Sequence, residues 1–96
     1  MIEFDPEKDA TNIAKHGVSL ALAERFNLAE ALIDIDERLA YGEPRWVAYQ
    51  DIDGRLHVLV FTSRNGVTRA ISVRKANDRE KRYVEERGHG REPPGV

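Results

Sequence analysis

The chain has 96 residues but no cysteine, a single tryptophan, a single methionine and only 7% aromatic side chains. Without cysteine there is no disulfide framework, no thiolate metal ligand and no thiol nucleophile. That suits a reducing compartment, and a cytoplasmic location is expected. No apolar run approaches the roughly 20 residues that span a bilayer. Met1-Ile2-Glu3-Phe4-Asp5 lacks the basic and apolar regions of a secretory signal, so no membrane association is expected. Metal-ligand spacing is also missing. His16, His57 and His89 fall in separate elements, with no HxxxH or HExxH pattern. Asp51-Ile52-Asp53-Gly54 opens like a calcium loop but lacks the later ligands, and reads as a turn. There is no glycine-rich phosphate loop, no nucleophile elbow and no internal repeat. Neither a metal nor another cofactor is expected.

What is present fits one domain over residues 1–87, followed by a Gly- and Pro-rich tail at 88–96 expected to be flexible. Ile2 to Phe4 reads as a short strand. Asp5-Pro6 reads as an N-cap with proline at the first helical position, opening a helix that closes at Gly17 with Lys15 and His16 at its negative end. Ile13, Ala10 and Ala14 are expected to face the core. Ser19 caps a second helix running from Leu20 to Phe26 or Leu28. Strands follow at Ala31–Asp36, Arg45–Gln50, Leu56–Thr62 and Val67–Arg74, with Asp53-Gly54 and Asn65-Gly66 as hairpin turns.

Two-residue turns set the register. One face is expected to carry the rows Val47–Val60–Ile71 and Tyr49–Val58–Val73, with Arg45, Thr62 and Arg69 at one end. The other is expected to carry Trp46–Phe61–Ala70, Ala48–Leu59–Ser72 and Gln50–His57–Arg74. Asn77 with Glu80 three residues on forms a capping box for a last helix from Asp78 to about Arg87.

The charge is unevenly placed. The formal net is −2, but residues 1–63 carry six basic and twelve acidic side chains, while residues 64–96 carry nine and five. Arg64, Arg69, Arg74, Lys75, Arg79, Lys81 and Arg82 all lie between residues 63 and 83, with Arg87 just beyond. Clustered Arg and Lys suit a phosphate-bearing ligand. Folding of the acidic half onto the basic half explains the same pattern equally well.

The chemistry most compatible with these residues is phosphodiester cleavage without a metal. RNA brings its own 2′-hydroxyl nucleophile. The protein then supplies a proton acceptor, a proton donor and cations for the developing charge. Arg74, Lys75 and Arg69 are candidates for phosphate. Lys8, Lys15, His16, Glu80 and Tyr83 are candidates for proton transfer, and Arg45 and Arg79 for further RNA contact. Each has a structural alternative. His16 can cap a helix, Glu80 can close the capping box, Tyr83 can pack, and Arg45 and Arg69 can pair with Asp34 or Asp36. Trp46 suits the core better than a base stack, and His57 reads as a partly buried strand residue.

Several of these residues fall in a recognisable order. Phe4-Asp5-Pro6-Glu7-Lys8, Asn12 and Lys15-His16-Gly17-Val18-Ser19 resemble the N-terminal signature of BrnT-type toxins. The likeness continues through Arg45-Trp46-Val47-Ala48, Val58-Leu59-Val60-Phe61-Thr62 and Arg69-Ala70-Ile71-Ser72-Val73-Arg74-Lys75-Ala76, to Arg79-Glu80 and Tyr83. It covers residues 2 to 87. The chain departs in a short loop from Glu37 to Pro44 and in Ser72-Val73-Arg74, where the family often has Ser-Ala-Arg. The resemblance implies an α+β, RelE-like fold: an antiparallel β-sheet with two N-terminal helices and one C-terminal helix. It implies a ribonuclease toxin of a type II toxin–antitoxin system. Its partner would be a BrnA-type antitoxin with a ribbon-helix-helix DNA-binding part, reaching operator DNA through the complex. A binding module without appreciable nuclease activity is the alternative. Asn12, Lys15, Gly17 and Ala76 can belong to the pattern because the fold needs them.

Overall fold

The computed structural model describes residues 2–36 and 42–90; residues 37–41 of the expected Glu37–Pro44 loop and residues 91–96 of the expected 88–96 tail lie outside them. The elements are β1 (Ile2–Glu3), α1 (Pro6–His16), a 3-10 helix (Leu20–Arg25), β2 (Leu32–Asp36), β3 (Arg45–Ile52), β4 (Arg55–Arg64), β5 (Val67–Lys75) and α2 (Asp78–Gly90). The five strands form one sheet in the order β1-β5-β4-β3-β2. The sheet is mixed rather than purely antiparallel, because β1 runs parallel to β5 through Ile2–Thr68 and Glu3–Arg69. The second N-terminal helix is a short 3-10 segment, capped by Ser19 Oγ, which accepts from the Ala21 amide at 3.1 Å.

Both hairpin dipeptides behave as the sequence predicts. Asp53 and Gly54 (φ 54° and 80°) and Asn65 and Gly66 (φ 52° and 79°) each hold two consecutive positive-φ residues. That is the twist-matched turn that Asp-Gly and Asn-Gly favour. The β3–β4 register agrees with the expectation, pairing Val47 with Val60, Tyr49 with Val58 and Ala48 with Leu59.

The β4–β5 register departs from it. Phe61 pairs with Ala70 but Val60 pairs with Ser72, so Ile71 is an extra residue in β5, a β-bulge. Everything beyond the bulge changes face. Val73 pairs with Leu59 and is fully buried, and Arg74 pairs with Val58 instead of lying in the row of His57 and Gln50. The reason is steric and electrostatic. Ala70 and Val73 both belong to the core, yet they stand three apart, which strict alternation cannot satisfy. An unbroken register would have turned the Arg74 guanidinium into the apolar layer, where an unpaired charge is costly.

One sheet face is sealed by the 3-10 helix and the segment after it. Leu20, Ala23, Phe26 and Ala31 pack on Ala48, Leu59, Phe61, Ala70 and Val73. Trp46 stacks on Phe61 (centroids 5.8 Å apart, planes 23°) and belongs to this layer. The opposite face, with Val47, Tyr49, Val58 and Val60, is partly covered by α2 through Tyr83 and Val84.

The helix α1 does not lie on the core face. Ala10, Ile13 and Ala14 are exposed, Ile13 by 47%, against the expectation that they pack inward. The helix sits beside the outer edge of β5 and is held by polar side chains. Asn12 is buried, and its Nδ2 donates to the carbonyls of Val73 and Val18 (both 2.7 Å) while its Oδ1 accepts from the Val73 amide at 3.3 Å. The side-chain amide thus pairs with β5 as another strand's peptide would, just beyond the point where β1 ends. Asp9 Oδ1 accepts from Ser19 Oγ (2.9 Å) and the Leu20 amide (2.7 Å), tying α1 to the 3-10 helix.

Candidate nucleic-acid interface

Anchoring α1 by Asp9 and Asn12 decides where its other side chains go. Residues three and four apart share a helix face, so Lys8, Thr11 and Lys15 form a line beside the anchored side. They border a groove of about 370 Å3 over the bulge residues Ile71 and Ser72, with His16 at its far end. A second hollow of about 180 Å3 continues from it, lined by Lys8, Asp5 and Ile71 together with Arg45, Arg64 and Arg69. Lys8 belongs to both. Four chain segments, α1, β3, β4 and β5, therefore bring basic side chains to one continuous edge of the molecule.

The state of those cations differs. Lys8, Lys15 and His16 are exposed and have no ion pair or side-chain hydrogen bond among the described residues. Arg64 forks onto Glu43, Nε to Oε2 at 3.0 Å and Nη2 to Oε1 at 2.8 Å. Arg69 donates to Glu3 Oε1 at 3.0 Å, not to the Asp34 or Asp36 carboxylates expected as its structural partners. The Arg64 hydrogen bond holds the Glu43 carboxyl below its ordinary value, with the nearby charges of Arg64, Arg45 and Arg69 adding to the effect. Asp5 is occupied as the α1 cap, accepting from the Glu7 amide at 2.9 Å.

The remaining candidates lie elsewhere. Past the bulge, Arg74 lies on the same sheet face as Ser72, further along β5 beside Val58, and forks onto Glu80 with two bonds of 2.7 Å. Glu80 also accepts from the Asn77 amide (3.0 Å), while Asn77 Oδ1 accepts from the Glu80 amide (2.8 Å), completing the capping box. These contacts, Arg74 first, hold the Glu80 carboxyl below its usual range; the same hydrogen bond raises Arg74. The Tyr83 hydroxyl donates to Asp34 Oδ2, and Arg87 donates to the Tyr83 oxygen at 2.8 Å. The hydrogen bond to Asp34 raises the Tyr83 phenol above its ordinary value of 10.0. Lys75 and Arg79 are exposed, at the end of β5 and on α2. His57 is buried, with Nδ1 2.7 Å from the Arg55 carbonyl.

The expected site residues thus divide. Lys8, Lys15, His16, Arg45 and Arg69 meet along the α1 edge. Arg74, Glu80 and Tyr83 meet beneath α2. Arg64, Glu43 and the Asp34 partner of Tyr83 were missed as site residues. Arg64 was visible in the sequence as one more strand-end arginine. Glu43 had no signal, and Asp34 figured only as an ion-pair alternative for Arg45 or Arg69, whereas it accepts from Tyr83 and lies 3.8 Å from Arg87; both positions depend on long-range register.

Comparison with protein families then decides the lineage. Residues 4–80 match the family of the ribonuclease toxin BrnT of type II toxin–antitoxin systems. The chain belongs to the BrnT family. No curated protein matches it. The family is one of ribonuclease toxins, so an RNA target and an antitoxin partner come with membership. No helix among the described residues is long and apolar enough to cross a membrane.

Proposed function

We propose that this BrnT family member cleaves RNA, without a metal, in the groove between α1 and the bulge of β5. The observation that carries the reading is the position of Lys8, which lines both hollows, with Lys15 and His16 to one side and Arg45, Arg64 and Arg69 to the other. The arginines suit the phosphate and the charge that grows on it. Lys8, Lys15 and His16 are the groups free to move a proton from the 2′-hydroxyl or to the leaving oxygen. Arg74, Glu80 and Tyr83 then serve to hold α2 on the sheet. Purified toxin stripped of antitoxin is expected to cut RNA in EDTA, leaving ends that carry the phosphate on the 2′/3′ side. Lys8→Ala is expected to be inert. Wild-type protein that cuts only with added metal, or Lys8→Ala cutting as wild type does, overturns the proposal.

We also propose a BrnA-type antitoxin with a ribbon-helix-helix part as the partner, with operator DNA bound by the complex. A weakly catalytic binding module is the second reading. It is favoured by one observation: Arg64, Arg69 and Arg74 each already hold a carboxylate of this chain. RNA left intact by the freed protein, with a gel shift of operator DNA by the complex, would select it.

A further inference from the structure

We infer that Glu43 occupies, from within the chain, the place of an RNA phosphate at the arginine cluster, and must leave for substrate to bind there. This rests on the proposed RNA groove. The guanidinium fork of Arg64 is satisfied by two carboxylate oxygens, the same two-pronged geometry it offers a phosphate. Arg45, Arg64, Arg69 and Lys8 line one hollow of about 180 Å3. The charges of all three arginines act on the Glu43 carboxyl. Its side chain is only 23% exposed, although it stands in a bend outside any strand.

Among the described residues three carboxylates border the cluster, and they are not equivalent. Glu3 lies in β1, fixed by the ladder to β5, and gives Arg69 a single bond with 44% of its side chain exposed. Asp5 is committed to the α1 cap. Glu43 sits between Gly42, at φ 69°, and Pro44, whose carbonyl is pinned by Thr62 Oγ1 at 2.6 Å. It can swing off Arg64 by side-chain rotation without breaking a strand pair. Glu43 is therefore the carboxylate that both fills an arginine fork and can vacate it. The apparent affinity for RNA falls by the fraction of molecules in which Glu43 remains in place.

The test is Glu43→Gln, which keeps shape and one acceptor but removes the competing charge. The probe is a 2′-O-methyl oligoribonucleotide, which carries the phosphates but lacks the nucleophile and so is not cut. Binding is measured over a salt series. Glu43→Gln is expected to bind about two- to fivefold tighter, the size of one surface ion pair expressed as an affinity ratio. Its log–log salt slope should stay close to that of wild type, because Arg64 engages the same phosphate in both bound states once Glu43 has left. A slope steeper by about 0.7 would mean that Glu43 keeps Arg64 in the wild-type complex and would overturn the displacement. Glu3→Gln should gain less.

Equal or weaker binding by Glu43→Gln overturns the inference, weaker binding showing that Glu43 positions Arg64 instead. Failure of both proteins to bind also overturns it, because the cluster then takes no phosphate. Wild-type protein gives an independent reading through the Glu43 carboxyl carbon resonance. Saturating oligonucleotide should return its titration to the ordinary carboxylate range, and an unchanged titration would overturn the displacement. Cleavage that requires Lys8 but ignores Glu43 would leave the proposed function standing and remove this inference alone.

Discussion

Two regions of this molecule gather arginine, and they hold it in opposite ways. Beneath α2, Arg74 is forked onto Glu80 with a side chain 32% exposed, and its partner is 18% exposed. Along the α1 edge, Lys8, Lys15 and His16 stand open, and the arginines beside them are gripped by exposed or loop-borne carboxylates. The first arrangement fastens an element whose apolar contact with the sheet is limited to side chains such as Tyr83 and Val84. The second leaves charge available to an incoming anion. Basic residues counted along a sequence do not reveal this difference. What separates a fastening from a binding edge is whether a carboxylate of the same chain reaches the cation, and how easily it leaves.

The largest effect that can break the comparison is catalytic. Lys8→Ala should lower RNA cleavage on the order of a hundredfold or more, the usual cost of a proton-transfer or charge-stabilising group, with an unchanged melting temperature. Arg74→Ala should show the reverse, retained cleavage with reduced stability. The opposite pair of results would move the chemistry beneath α2. Next comes the anchor of the α1 edge. Asn12→Ala leaves the Val73 amide and two carbonyls without their partner in a buried place. It should cost about 2–4 kcal/mol, seen as a fall in melting temperature of roughly 10 °C or more for a domain of this size. An effect near zero would show that water replaces the amide and that α1 is positioned by something else.

Much of the fold was legible because it is local. Asp5-Pro6, Gly17, Asn77 with Glu80 and the two turn dipeptides each act over four residues or fewer, and each behaves as the sequence predicts. The bulge at Ile71 was not, although a trace of it was present. Ala70 and Val73 are both small apolar residues at odd spacing, and only one can face the core in a regular strand. Missing it sent Arg74 to the wrong face and hid the Arg74–Glu80 pair. The α1 error had a different origin. Ala10, Ile13 and Ala14 look like a core stripe, but the helix docks through Asn12 and Asp9, whose polar bonds to β5 and the 3-10 helix outweigh that small stripe. The site was half legible for the same reason. Residues from one element, Lys8, Lys15 and His16, could be grouped by helix periodicity, whereas Glu43 and Arg64 stand together only through the β3–β4 pairing.

A smaller effect comes from the fastening itself. The folded state holds the Glu80 carboxyl below its ordinary value of 4.5. Its contribution is therefore present above that value and is lost as pH falls through the lower, folded one. A double-mutant cycle over Arg74 and Glu80 should give a coupling of about 1 kcal/mol at neutral pH. It should shrink in acid, and Glu80→Gln should flatten that part of the acid limb of stability. A coupling that is unchanged well below pH 4.5 would mean that the pair is not held by charge.

The smallest effect sharpens the same point at high pH. Hydrogen bonding to Asp34 raises the Tyr83 phenol above 10.0, and burial raises that of Tyr49 beside it. A phenol with a raised folded value stabilises fully below its unfolded value and loses that stabilisation as pH climbs through the folded one. Tyr83→Phe should cost about 0.5–1.5 kcal/mol at neutral pH and remove part of the alkaline decline, with Tyr49→Phe removing the remainder. RNA cleavage should be unaffected, because the Tyr83 hydroxyl hydrogen is already engaged by Asp34 and Tyr83 lines neither hollow of the proposed groove. A Tyr83→Phe protein that melts as wild type but cleaves far more slowly would place proton transfer beneath α2 and reverse the assignment of the two regions.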